Sequence, residues 1–178
     1  MEERSLERRF AVDRVGARGA CTGVSGGWTV KVTAERTRPP LVYQARVNAA
    51  PDVVFDAFFR EPRRWLCREA SMDPQVGGRM RLCWPDGCCE GQFVQYEPNS
   101  VARFSWRMQG DKLPETMVVV RTEAAGPNQT ALELEHYGFG VGPDWDGLYV
   151  GAARAWAGYL KNLRAVLETG VDLREAEE

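Results

Sequence analysis

The sequence predicts an α+β domain in which a curved antiparallel sheet grips one long C-terminal helix, with two short helices after the first strand. Three observations carry this. First, Met80, Leu82 and Trp84 alternate with Arg79, Arg81 and Cys83, and Ala102, Phe104, Trp106 and Met108 alternate with Arg103, Ser105 and Arg107, which is the period of two expected of strands with one wet face. Second, Leu148, Ala152, Trp156, Tyr159, Leu163, Val166 and Leu167 recur at steps of three and four between Asp146 and Thr169, the stripe of a helix laid on a core. Third, Pro51 and Pro62 each open a short segment carrying aromatic residues, and proline suits the first turn of a helix.

In chain order, residues 1–40 form an N-terminal extension in which Leu6, Phe10 and Val15 suggest a short amphipathic helix and CTGVSGG, from Cys21, reads as loop. Trp28 to Ala34 alternates with period two until Arg38-Pro39-Pro40 ends it, because proline removes donors and extends the residue before it. That segment predicts an added strand, either protecting a sheet edge or exchanged between two chains of a homodimer. The main domain spans 41–170. Leu41 to Val47 is its first strand, Val53 to Phe58 the first short helix, and Trp65 sits in the second. Gly77-Gly78 mark a tight approach before the sheet, Pro85-Asp86-Gly87 a reversal, and Glu97-Pro98-Asn99-Ser100 a second turn. Glu115 to Thr122, rich in β-branched residues, and Thr130 to His136 supply two more strands, and Gly170 closes the helix. Residues 171–178 read as a frayed acidic tail.

At 178 residues the chain can bury one sizeable core without a second domain, and 44% hydrophobic with 27% charged residues is the composition of an ordinary globular protein. A net charge of −2 gives no basic field and argues against nucleic acid as partner. Apolar runs fall short of a membrane span, and MEERSLERRF is too charged for a signal peptide, so a cytoplasmic protein is expected. The five cysteines are odd in number and lack CxxC spacing, which suggests neither a disulfide framework nor a zinc site. Reduced thiols follow, with Cys88 and Cys89 on opposite strand faces as small hydrophobes.

The residues that hold this order resemble the SRPBCC superfamily of helix-grip, START-like domains, and within it the bacterial relatives of the activator of the heat-shock protein 90 ATPase. The resemblance covers about Leu41 to Glu168. It rests on Asn48-Ala49-Ala50-Pro51 with Val54-Phe55-Asp56-Ala57, on Trp65, on Asp73-Pro74 with Gly77-Gly78, on Gly91 with Glu97-Pro98, on Phe104-Ser105-Trp106, and on His136-Tyr137-Gly138-Phe139. It implies a cavity between sheet and helix that holds a hydrophobic small molecule, with some members acting as cyclases or hydrolases and others as co-chaperones in the stress response. The first 40 residues and VGPDWDGLY, Val141 to Tyr149, lie outside the pattern.

The inward parity of Trp65, Met80, Leu82, Trp84, Phe104, Trp106, Met108, His136 and Trp156 nominates them as the lining of a site for an apolar or aromatic ligand. His136 is the one histidine, and the one side chain poised for acid–base work near neutrality. No Ser, Cys or Asp motif completes a triad, no second histidine completes a metal site and no glycine-rich phosphate cradle is present, so neither a catalytic set, a metal nor a cofactor is expected. Arg79, Arg81, Arg103, Arg107 and Arg121 fall outward, and Glu133 with Glu135 on a solvent face. Gly158 falls near the apolar stripe, where a large side chain would overpack the helix. Two alternatives stay open beside ligand binding. One is a cyclase or hydrolase working through His136; the other is an interaction module that binds a protein partner.

Overall fold

A computed structural model describes residues 37–174. The helix expected around Leu6 to Val15 and the strand expected at Trp28 to Ala34 lie outside them. The order is β1 (Leu41–Val47), α1 (Pro51–Phe59), a 3₁₀ turn (Pro62–Arg64), β2 (Glu69–Met72), β3 (Arg79–Trp84), β4 (Gly87–Glu97), β5 (Val101–Met108), β6 (Thr116–Gly126), β7 (Gln129–Tyr137) and α2 (Pro143–Thr169). The strands form one curved, seven-stranded antiparallel sheet in the order β1-β7-β6-β5-β4-β3-β2. Every pairing joins sequence neighbours except that of β1 with β7, where Leu41 faces His136 and Val47 faces Thr130. The two helices lie on its inner face, so the fold is the α+β helix-grip expected.

α1 closes one end of that face. Pro51 starts it, and Val54, Phe55, Phe58 and Phe59 are all buried. Phe59 meets Phe93 at 5.8 Å, Tyr96 at 5.8 Å and Phe104 at 6.0 Å between ring centroids. Trp65 packs edge-on against Phe58 and donates its indole N–H to the Ala57 carbonyl at 2.8 Å, so its one polar atom is satisfied inside the core. Each such ring contributes roughly 1.5–3 kcal/mol by burial. Before β3, Gly78 runs so close to Asp73 that a Cβ would stand 1.9 Å from its carbonyl oxygen, so only glycine fits.

α2 is 27 residues, about 40 Å long. Its start at Pro143 lies three residues before the expected start at Asp146, because proline and the first-turn acids Asp144 and Asp146 favour that terminus without adding apolar residues to the pattern. Its buried residues are Trp156, Leu160, Asn162, Leu163 and Val166, all from its midpoint onward. Among the described residues no helix is long and apolar enough to cross a membrane.

Five local expectations are corrected. β2 is an addition: Glu69-Ala-Ser-Met72 is too short to show a pattern of its own, and it forms by pairing with β3 from Glu69–Cys83 to Met72–Met80. Cys83 and Cys88 are not free small hydrophobes; they face each other across the β3–β4 hairpin and form a disulfide, with Cα atoms 4.0 Å apart. Five residues of separation carry no framework signature, and only the register of the hairpin brings the sulfurs together. Cys67 and Cys89 are buried and free. Glu133 is buried rather than solvated, because Arg121 Nη1 at 2.9 Å and Gln44 Nε2 at 2.8 Å enclose its carboxylate. Gly158 is exposed, and no atom lies within 4 Å of where a Cβ would stand on it, so it is not near the packed stripe.

The fifth concerns the expected fraying after Gly170. Asn162 Nδ2 donates to the Trp65 carbonyl at 2.8 Å and to Asp172 Oδ1 at 2.9 Å, while Leu173 N–H donates to Asn162 Oδ1 at 2.7 Å. Arg174 reaches the carbonyls of Cys67 and Arg63, and its hydrogen bonds hold the Asp172 carboxyl down at about 2. Residues 171–174 are therefore pinned to the domain; 175–178 lie outside the described residues.

Candidate functional site

The inner face of the sheet passes from closed to open along single strands. On β5, Ala102 and Phe104 are buried, whereas Trp106 and Met108, next on the same face, are only half-buried. β3 repeats this, with Met80 and Leu82 buried and Trp84 half-buried. The space left over these residues, under the first half of α2, is a cavity of about 300 Å³. That is the lower end of the range for small-molecule sites.

Aromatic rings make its wall. Trp84, Trp106, Trp156 and Tyr159 form a circuit, with centroid separations of 6.1 Å for Trp84–Trp106, 5.3 Å for Trp106–Trp156, 5.9 Å for Trp156–Tyr159 and 5.7 Å for the stacked Trp84–Tyr159 pair. Burial, with lesser help from the Asp86 charge, pushes the Tyr159 phenol up to about 12, so it stays neutral. The helix side is lined by Gly147, Leu148, Gly151, Ala152 and Ala155. No atom lies within 4 Å of where a Cβ would sit on Gly147 or Gly151. Small residues on this face are what keep the space open. Leu113, Pro114, Phe139 and Thr116 complete the inside, and Asp86, Arg107 and Asp111 stand around it.

His136 lies at the back of this wall and is 1% exposed. Trp156 Nε1 is 3.0 Å from its Nδ1, and Thr116 Oγ1 is 2.7 Å from its Nε2. An indole nitrogen can only donate, so Nδ1 must be the bare acceptor and Nε2 must carry the proton. Nε2–H then donates to Thr116, whose own hydroxyl donates to the Trp106 carbonyl at 3.0 Å. The chain Trp156 to His136 to Thr116 to Trp106 is complete in one direction. Burial pulls the His136 pKa down to about 3, and protonation would set an N–H against the Trp156 N–H. A neutral imidazole with both nitrogens engaged has no lone pair to offer a substrate proton.

Of the nine residues nominated by parity, the structure brings Trp84, Trp106, Met108, His136 and Trp156 together around the cavity. It places Trp65, Met80, Leu82 and Phe104 in the closed core, each at most 3% exposed. Parity names the face but not what covers it, and α1 with the second half of α2 covers these four. Tyr159, Phe139, Leu148, Thr116, Asp86 and Asp111 were missed as lining. A signal for the helix side was present in Gly147, Gly151, Ala152 and Ala155, small residues recurring on the apolar face of the stripe. Among the described residues no group of three or more His, Cys, Asp or Glu could hold a metal ion.

Residues 48–168 match the family described as Activator of Hsp90 ATPase homolog 1-like protein. The chain belongs to this family. No curated protein sequence matches it. Among solved structures, an HSP90 activator from Plasmodium falciparum superposes with a TM-score of 0.64 at 22% identity, over 72% of this chain and 96% of that one. The Aha1 dimer from Colwellia psychrerythraea gives 0.64 at 19%, over 75% and 98%. DynU16, from the dynemicin biosynthetic locus, gives 0.63 at 22%, over 75% of this chain and 48% of that one. At these identities the likeness is one of fold. This Activator of Hsp90 ATPase homolog 1-like domain thus shares its scaffold with proteins of quite different stated contexts, and what it does has to be argued from its own cavity.

Proposed function

We propose that this protein binds a flat, apolar small molecule in the cavity between the sheet and the first half of α2. The observation that carries the reading is the pairing of a continuous wall of aromatic rings with an opposing helix face of glycine and alanine. A domain that needed only stability would fill this space, since uncovered rings forgo burial and an interior is normally close-packed. The satisfied, neutral state of His136 favours binding over a hydrolase or cyclase chemistry that would use that side chain. The test is a titration with 1-naphthalenemethanol, a neutral flat probe, followed by tryptophan fluorescence, since Trp84, Trp106 and Trp156 line the site. Saturable quenching is expected, lost in Gly151→Trp, where the new ring occupies the space. Absence of quenching, or quenching that survives this variant, defeats the reading.

A second reading is favoured by family membership: a face of the domain meets a protein partner or a second copy of the chain. Light scattering tests the second copy, which predicts a mass near twice the 20.0 kDa chain.

A further inference from the structure

We propose that the ligand of this cavity is a hydrophobic organic cation, with an amine or quaternary ammonium group at the mouth and an aromatic body inside. This rests on the reading of the cavity as a binding site and adds the charge of what binds there.

The interior offers little to a polar or anionic group. Trp84 Nε1–H is spent on the Leu66 carbonyl at 2.7 Å, Trp156 Nε1–H on His136, His136 Nε2–H on Thr116, and the Thr116 hydroxyl on the Trp106 carbonyl. A buried head group would lose its water without finding these donors free. The mouth is different. Asp86, at the tip of the β3–β4 hairpin, and Asp111, in the loop after β5, both border the cavity and are exposed. Neither carboxylate has a hydrogen-bond or ion-pair partner among the described residues. Free carboxylates attract cations, and the adjoining ring faces add a cation–π attraction. The Asp86 charge also acts on the Tyr159 phenol, so its field reaches the aromatic wall.

Arg107 borders the same mouth but does not reverse the sign. It alternates with Trp106 and Met108 and so leans to the opposite sheet face, where it lines a second hollow with Glu90 and Glu115. The cavity itself is bordered by two carboxylates and this one guanidinium, which leaves its rim net negative.

The test compares three ligands with one naphthalene body: 1-naphthylmethyltrimethylammonium, 1-naphthalenemethanol and 1-naphthoate, each titrated by calorimetry into the full chain and into an Asp86→Asn, Asp111→Asn double variant. The cation is expected to bind about tenfold more tightly than the alcohol, and the carboxylate least well. In the double variant the cation-to-alcohol ratio should fall to about two or three, the share left to the ring faces. In the parent, raising the salt should shrink it, because exposed charges are screened. An alcohol that binds as tightly as the cation, or a preference undiminished in the double variant, overturns the assignment while leaving the cavity as a site. Failure of all three ligands to bind the parent removes the cavity reading and this inference with it.

Discussion

Two aromatic clusters lie on the same face of one sheet, and they differ in what lies over them. At one end Phe55, Phe59, Phe93, Tyr96 and Phe104 interlock under α1, with Phe58 and Trp65 beside them. At the other Trp84, Trp106, Trp156 and Tyr159 are in mutual contact, and of these all but the buried Trp156 are only partly covered. Phe104 and Trp106, two residues apart on β5 with centroids at 6.4 Å, join the clusters. Ring density is therefore not what separates core from site. The opposing helix decides: α1 brings valine and phenylalanine, whereas the first half of α2 brings glycine and alanine. The same residue types serve stability where they are met by bulk and recognition where they are not.

The comparison breaks most directly by truncating one ring from each cluster. Phe59→Ala is expected to cost about 3–5 kcal/mol in urea unfolding, the usual cost of deleting a buried ring. Trp84→Ala should cost less, because its ring is only half-buried and borders the cavity, and should also weaken the binding of a flat ligand. Equal losses would show that the two clusters are one core.

Next in size is the hairpin that carries Trp84 and Asp86. Reducing the Cys83–Cys88 bridge, or replacing both cysteines by serine, should lower stability by about 2 kcal/mol through the freed unfolded chain. The loss should appear in ligand affinity as well, since the bridge holds the strand ends that frame the cavity. An unchanged melting temperature in reductant would show that the bridge does not stabilise the fold, and an unchanged ligand affinity that it does not frame the cavity.

His136 tests the wall between the clusters through pH. Its pKa is about 3 folded, against an ordinary 6.5, so the unfolded chain takes up a proton that the folded one refuses. The contribution to stability is complete above pH 6.5 and is lost as pH falls toward 3. Between pH 6 and 5 the slope should approach about 1.4 kcal/mol per pH unit. No other histidine exists to contribute. His136→Gln should flatten this window, and a parent protein already flat there would mean that the imidazole is protonated in the fold.

The smallest effect is the most diagnostic of the helix side. Gly151→Ala places a methyl group in open space on an exposed helical position, so it should raise stability by about 1 kcal/mol. Gly158→Ala should do the same without touching the ligand. A destabilised Gly151→Ala would mean that α2 sits tighter on the sheet than the cavity allows.

Much of this is legible in the sequence, and the parts that are not share a cause. Alternation from Met80 to Met108 identifies the inward faces of β3 and β5, and steps of three and four identify the α2 stripe, because those periods are properties of the local backbone. β2 is invisible because a four-residue edge strand draws its identity from its neighbour. Glu133 reads as solvated until Arg121 on β6 and Gln44 on β1 are placed beside it.

What the sequence determined alone is therefore directional: which residues turn inward, where the chain reverses, and that one long helix must lie on one curved sheet. Tertiary structure decided coverage. It put Trp65, Met80, Leu82 and Phe104 under α1 and the far half of α2, left Trp84 and Trp106 facing space, tied His136 between Trp156 and Thr116, and joined Cys83 to Cys88. The physical reason is that the direction of a side chain follows from its own backbone, whereas its burial, its protonation and its covalent partner depend on atoms that arrive from elsewhere in the chain.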